Sequence, residues 1–159
     1  MNESNVERMI KLAGDVFDVK NDPDQLDVNE EVIARLRRIH PFTISEHKDE
    51  NGPLVWILMI PTTQGVMYRF LNKEITEKQL LELTPLDVPY DAIYLCSAMV
   101  LPEFRGHGLA KNLALEAIEN IRNTNPIRDL FVWPFTEEGD ALADTLAAAT
   151  SLPLLKRLK

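Results

Sequence analysis

The most constraining feature of the sequence is an unbroken apolar run that ends in a glycine-bearing loop. Ala92–Val100 is almost entirely apolar, which is typical of a strand buried on both faces. The loop Leu101–Gly108 follows, and Gly108–Arg122 places apolar side chains along one side of a helix. Leu130–Trp133 reads as a second buried strand. A strand–helix–strand unit of this length predicts parallel pairing and therefore an α/β fold.

Further helices and one hairpin are predicted around this unit. The dipeptide Asn51–Gly52 is a strong turn signal, and it lies between the strand-like segments 43–47 and 54–60. These two segments therefore predict an antiparallel hairpin. Apolar periodicity, a capping box at Thr76 and helix-start signals predict helices over residues 5–19, 29–40, 64–71, 76–83 and from 136 onward.

Length and charge limit the classes of function. The 159 residues predict a single domain over 1–159, and 45% apolar residues are ordinary for a globular fold. The chain carries 17 Lys and Arg against 25 Asp and Glu, a formal net charge of -8. This balance argues against binding to nucleic acid or to an anionic membrane, because both require clustered cations.

Cysteine and histidine usage argues against a disulfide framework or a zinc site. Cys96 is the only cysteine, and the three histidines are scattered without metal-ligand spacing. The longest apolar run, Leu54–Pro61, is shorter than a membrane helix, and no signal-peptide core follows the polar N-terminus. We therefore expect a cytoplasmic protein without a metal. Cys96 itself is expected to pack as a small hydrophobe.

The loop Arg105–Ala110 is the candidate binding element. It joins a buried strand to a helix N-terminus, where unpaired N–H groups and the helix dipole favour an anion. Glycines allow a phosphate to approach the main chain closely. The spacing lacks the GxxxxGK[ST] pattern of a P-loop and the GxGxxG pattern of a dinucleotide-binding fold.

The segment Val100–Ala110 resembles motif A of the GNAT superfamily of N-acetyltransferases. The family pattern R/Q-x-x-G-x-G/A at a helix start is met by Arg105, Gly108 and Ala110. The resemblance covers residues 92–134, about a quarter of the chain. It implies a GNAT-like central mixed sheet flanked by helices.

The resemblance also implies a cofactor and a reaction. Acetyl-CoA would donate its acetyl group directly to the primary amine of a small molecule or peptide. In the family, loop amides hold the CoA pyrophosphate and the end of the preceding strand pairs with the pantetheine arm. The implied cofactor-binding residues are Ala98, Met99, Val100, Arg105, Gly106, His107, Gly108, Leu109, Ala110 and Lys111.

The catalytic groups are less well defined. Tyr94 occupies the strand position where several family members carry a catalytic Glu, so it is the candidate catalytic residue. A phenol with a pKa of about 10 is a poor base, and a water relayed by Tyr94 or Ser97 is an alternative. The Tyr that many family members carry in the helix after the second strand is missing, because residues 137–150 contain none.

Two further departures from the family keep other functions open. Residues 64–84 insert two helices before the motif, where they either pack or bind the acceptor. Ser151–Lys159 is too short for the C-terminal hairpin of the family, so the sheet is truncated or a partner completes it, for example in a homodimer. A CoA-binding module without catalysis and a structural subunit are therefore alternatives. Trp56 and Trp133 are predicted core residues, with the lining of an acceptor pocket as the alternative.

Overall fold

The fold is a mixed β-sheet flanked by helices. A computed structural model of the chain describes residues 5, 7, 8, 11, 12, 30–134 and 136–158. Within these residues the sheet has the order β1-β2-β3-β4-β5. Its strands are β1 (Ile44–Asp49), β2 (Gly52–Thr62), β3 (Ala92–Val100), β4 (Asp129–Val132) and β5 (Leu154–Lys156). The α-helices described over their whole length are α1 (Glu30–Ile39), α2 (Gln64–Leu71), α3 (Glu77–Leu83), α4 (Leu109–Arg122) and α5 (Glu137–Thr150).

The predicted hairpin is confirmed, with its turn shifted by one residue. β1 and β2 pair antiparallel, and Asp49 lies opposite Gly52. The turn residues are therefore Glu50 and Asn51, and Gly52 begins β2 with φ at 113°. Glycine adopts this backbone conformation without the steric cost that a Cβ would bring.

The predicted parallel pairing around α4 is also confirmed. β3 pairs antiparallel with β2 and parallel with β4. An α/β arrangement with a mixed sheet flanked by helices is thus established for the described residues. After α5 the described residues form one further strand. This strand, β5, pairs parallel with β4.

The helices lie on both faces of the sheet. Tyr94 on β3 contacts Phe70 of α2 and Glu77 of α3. The next residue, Leu95, lines a cavity together with Ala143 of α5 and other residues of α4 and α5. Because successive side chains of a strand point to opposite faces, α2 and α3 cover one face and α4 and α5 cover the other.

The helix predicted over residues 5–19 lies mostly outside the described residues. The described members of this segment are helical; they are Asn5, Glu7, Arg8, Lys11 and Leu12. In the described part of the chain, no helix has both the length and the apolar character needed to cross a membrane.

Candidate functional site

The sheet opens between β3 and β4. β4 pairs with β3 only over Ala92–Leu95, and it ends at Val132, shortly before Pro134. The register between β2 and β3 shifts by one residue at Cys96, which makes a β-bulge there. A bulge bends its strand and often lies beside a functional site. From Ser97 to Val100, β3 therefore pairs with β2 on one side and faces a gap on the other.

Backbone amides of β3 point into this gap. The N–H of Leu101 donates to the carbonyl of Leu54 at 3.0 Å, so the backbone of Leu101 faces β2. In an antiparallel ladder the direction alternates with each residue, which turns the N–H groups of Ala98 and Val100 away from β2. The carbonyl of Val100 also points away from β2, since it accepts a hydrogen bond from Nε of Arg105 at 3.2 Å. The open edge can thus pair with an extended ligand.

The loop after β3 is shaped by two glycines in the left-handed region. Gly106 has φ at 81° and Gly108 has φ at 74°. Gly108 is the N-cap of α4 and provides no side-chain cap, while its carbonyl accepts from the N–H of Asn112 at 2.9 Å. Because no side chain of the N-cap accepts from them, the first-turn amides of α4 are available to a ligand at the loop, and the positive end of the helix dipole points the same way.

The open edge and the loop border one cavity of about 510 Å³, here called the loop cavity. Its lining includes all but one of the residues predicted to hold the cofactor, namely Ala98, Met99, Val100, Arg105, Gly106, Gly108, Leu109, Ala110 and Lys111. The exception is His107, which is exposed on the same loop and does not line the cavity. Arg105 and Lys111 bring positive charge to the lining, and Glu138 of α5 brings a carboxylate.

Residues near the N-terminus lie beside the loop. Leu12 belongs to the lining of the loop cavity. Arg8 forms an ion pair with Glu103, and the hydrogen bond from Arg8 lowers the pKa of that carboxyl. Both groups are partly exposed to solvent, so this pair contributes little to stability.

A smaller cavity of about 100 Å³, here called the inner cavity, adjoins the loop cavity. The two linings share Ala98, Thr136, Gly139 and Leu142. The inner cavity is also lined by residues 95–97 of β3 and by Val132 and Trp133. It therefore lies where β3 and β4 separate.

Tyr94 is placed poorly for the predicted role of a base. Its side chain is fully buried and lines neither cavity. Its hydroxyl donates to Oε2 of Glu77 at 2.5 Å. Burial, followed by the charge of Glu77, raises the pKa of Tyr94 well above 10. A phenol held protonated and shielded from both cavities cannot accept a proton from a substrate there, which corrects the expectation for Tyr94. The alternative was a water relayed by Tyr94 or Ser97. Of these two residues, Ser97 lines the inner cavity.

The sequence did not reveal the buried polar cluster around Tyr94. Glu77 is 1% exposed, although an acid in the first turn of a helix normally faces solvent. Its Oε2 lies 3.8 Å from Sγ of Cys96. The guanidinium carbon of Arg157 lies 4.5 Å from the ring centre of Phe70 and 4.3 Å from that of Trp133. Such cation–π contacts offer an arginine a place in an aromatic core.

The two tryptophans differ in environment. Trp133 is buried, as predicted for a core residue, and it also lines the inner cavity. Trp56 is half-buried on β2, and its Nε1 donates to Oε2 of Glu46 at 2.9 Å. Trp56 belongs to the lining of neither cavity described above.

The described residues contain no group of three or more His, Cys, Asp or Glu side chains that could hold a metal ion. Comparison of the chain with family models, with curated proteins and with solved structures gave no match in any of the three.

Proposed function

We propose that this chain binds acetyl-CoA in the loop cavity and transfers the acetyl group to a primary amine. One observation carries the proposal. The open edge of β3 and the glycine-bearing loop before α4 border the same cavity, so donors for an extended arm and donors for a phosphate lie side by side. The resemblance of residues 92–134 to motif A of the N-acetyltransferases assigns these two elements the same roles.

The phosphates of the donor would bind at the start of α4. The amides of its first turn, residues 109–111, supply hydrogen bonds and partial positive charge. Arg105 and Lys111 add full positive charge beside them. The chain as a whole carries -8, so its overall field repels a polyanion. Affinity must therefore come from these local groups.

The pantetheine arm would lie along the open edge of β3. The N–H groups of Ala98 and Val100 face the gap and can pair with the amides of the arm as a neighbouring strand would. An arm running from the loop toward Ala98 carries the thioester to the point where β3 and β4 separate. A backbone N–H at that point can stabilise the negative charge that develops on the thioester oxygen.

The transfer itself needs little from the side chains. The neutral amine nitrogen attacks the thioester carbonyl, the carbon–nitrogen bond forms, and the carbon–sulfur bond breaks as CoA leaves as a thiolate. The proton lost by the amine passes to water. The hydroxyl of Ser97, which lines the inner cavity, can hold this water by a hydrogen bond. A thiolate is a tolerable leaving group, so the missing Tyr of α5 does not prevent the reaction.

A CoA-binding module without catalysis is the second candidate. The observation that favours it is the burial of Tyr94, which removes the phenol from both cavities. Among the described residues that line the two cavities, Glu138 is the only one with a carboxylate, and it lies in the first turn of α5 beside the loop cavity. The inner cavity, where the thioester would lie, therefore has no carboxylate among these residues to act as a base.

Two assays on the full chain test the proposal. A ligand present at a hundred times its Kd stabilises the folded state by about 2.7 kcal/mol, which raises the Tm of a chain this size by about 5–10 °C. We expect this shift with both CoA and acetyl-CoA. Release of free thiol from acetyl-CoA should then rise when amines from a panel are added.

The outcomes separate the candidates. Stabilisation without amine-dependent thiol release identifies the binding module. If neither CoA nor acetyl-CoA raises the Tm, the cofactor assignment is wrong.

A further inference from the structure

The inner cavity continues from the place where the thioester would lie. It adjoins the loop cavity through Ala98, Gly139 and Leu142, which line both. If the pantetheine arm follows β3 from Val100 toward Ala98, its thioester points into the inner cavity. This step rests on the proposed function.

The lining of the inner cavity is mainly apolar and includes several deeply buried side chains. Four of its lining residues are at most 2% exposed, and all four carry apolar side chains; they are Met59, Ala114, Ala143 and Leu146. Water gains few hydrogen-bond partners among such side chains, whereas an alkyl group gains contacts and leaves water. The chemistry of the cavity therefore favours a hydrocarbon group over a polar one.

The volume of the cavity sets the size of that group. An apolar cavity of about 150 Å³ accepts benzene, which has six carbons. The inner cavity measures about 100 Å³, so the same ratio leaves room for about four carbons. An acetyl group alone would leave much of this volume empty, and empty apolar volume forfeits contact energy.

We propose that the inner cavity is an acyl subsite and that the preferred donor is a short-chain acyl-CoA of about four carbons rather than acetyl-CoA. The small side chain of Ala143 on α5 keeps the subsite open. Leu146, one helical turn further along α5, is a buried and bulkier member of the same lining.

The test is a calorimetric titration of the full chain with CoA and with its acetyl, butyryl and octanoyl thioesters. Each buried methylene group strengthens binding about fourfold, so butyryl-CoA, which has two more methylene groups, should bind about fifteenfold more tightly than acetyl-CoA. Octanoyl-CoA should gain little over butyryl-CoA, because the volume of the subsite leaves room for only about four carbons.

Two variants locate the effect. Ala143→Leu fills the subsite and should remove the preference for butyryl-CoA while CoA itself binds as before. Ala148→Leu is the matched control, because Ala148 is exposed on the same helix. Leu146→Ala lengthens the subsite and should move the preference to longer chains.

The results distinguish this inference from the proposed function. If CoA binds but the acetyl and butyryl thioesters bind equally, the acyl subsite is wrong and the cofactor site stands. If CoA itself does not bind, the proposed function fails and the acyl subsite fails with it. The titrations of the unsubstituted chain decide both questions even if Ala143→Leu does not fold.

Discussion

Replacing Gly108 with valine should weaken binding of CoA by about tenfold or more. An added Cβ meets no obstacle, since its nearest neighbour is Nδ2 of Asn112 at 3.8 Å. The penalty is conformational, because Gly108 has φ at 74° and an L residue pays about 1–2 kcal/mol in the left-handed region. A β-branched residue pays more. The loop would rearrange, and the first-turn amides of α4 would lose their alignment with the phosphates.

Two further substitutions separate conformation from folding. Gly108→Asn should keep most of the affinity, because asparagine enters the left-handed region more readily than other residues. Gly65→Val places the same side chain on α2, where an added Cβ has nothing within 4 Å, and should leave binding unchanged. Calorimetry measures all three. Equal affinity of Gly108→Val and the unsubstituted chain would refute the assignment of the loop.

Replacing Glu77 with alanine should lower the free energy of unfolding by about 1–3 kcal/mol, the cost of leaving a buried donor unsatisfied. The donor is the hydroxyl of Tyr94, which is fully buried and bonds to Oε2 of Glu77. The matched control is Glu82→Ala on the same helix, since Glu82 is exposed. Such surface substitutions usually change stability by less than about 0.5 kcal/mol. Urea unfolding measures both, and equal losses would contradict a structural role for Glu77.

The same cluster predicts a pH dependence of stability. The pKa of Tyr94 is raised in the folded chain, first by burial and then by Glu77. A group with a raised folded pKa contributes stability that is fully present below its unfolded pKa of about 10 and is lost as the pH rises toward the folded pKa. Above pH 10 the free energy of unfolding should therefore fall by up to about 1.4 kcal/mol per pH unit more steeply than in Tyr94→Phe. Parallel pH profiles would show that Tyr94 does not contribute.

Local patterns were sufficient for much of the fold. The patterns that mark β3, α4 and β4 lie within each segment, so the sequence was enough to predict two strands and a helix there. Their order along the chain then predicted the parallel pairing. The capping box at Thr76 likewise forms as predicted, with hydrogen bonds in both directions to Gln79. The tight turn between β3 and α4 could also be predicted, because Gly106 and Gly108 readily adopt the left-handed backbone found there.

The remaining features depend on contacts between distant parts of the chain. Burial of Glu77 requires the first turn of α3 to pack against Tyr94 and Cys96 of β3, which no local spacing encodes. β5 is three residues long and forms because β4 offers a free edge. The inner cavity arises from side chains of β2, β3, α4 and α5 together. Two departures from the pattern of the N-acetyltransferases were visible in the sequence: Tyr94 stands where several of them carry a Glu, and residues 137–150 contain no tyrosine.

The most direct test of the account is amide hydrogen exchange in the full chain, measured with and without CoA. In the free chain the N–H groups of Ala98 and Val100 face the gap and should exchange rapidly, whereas that of Met99 faces β2 and should be protected. With CoA bound, exchange at Ala98 and Val100 should slow by about tenfold or more, and Met99 should change little. Binding of CoA that leaves Ala98 and Val100 unprotected, or no binding at all, would contradict the proposal that the open edge of β3 holds the cofactor.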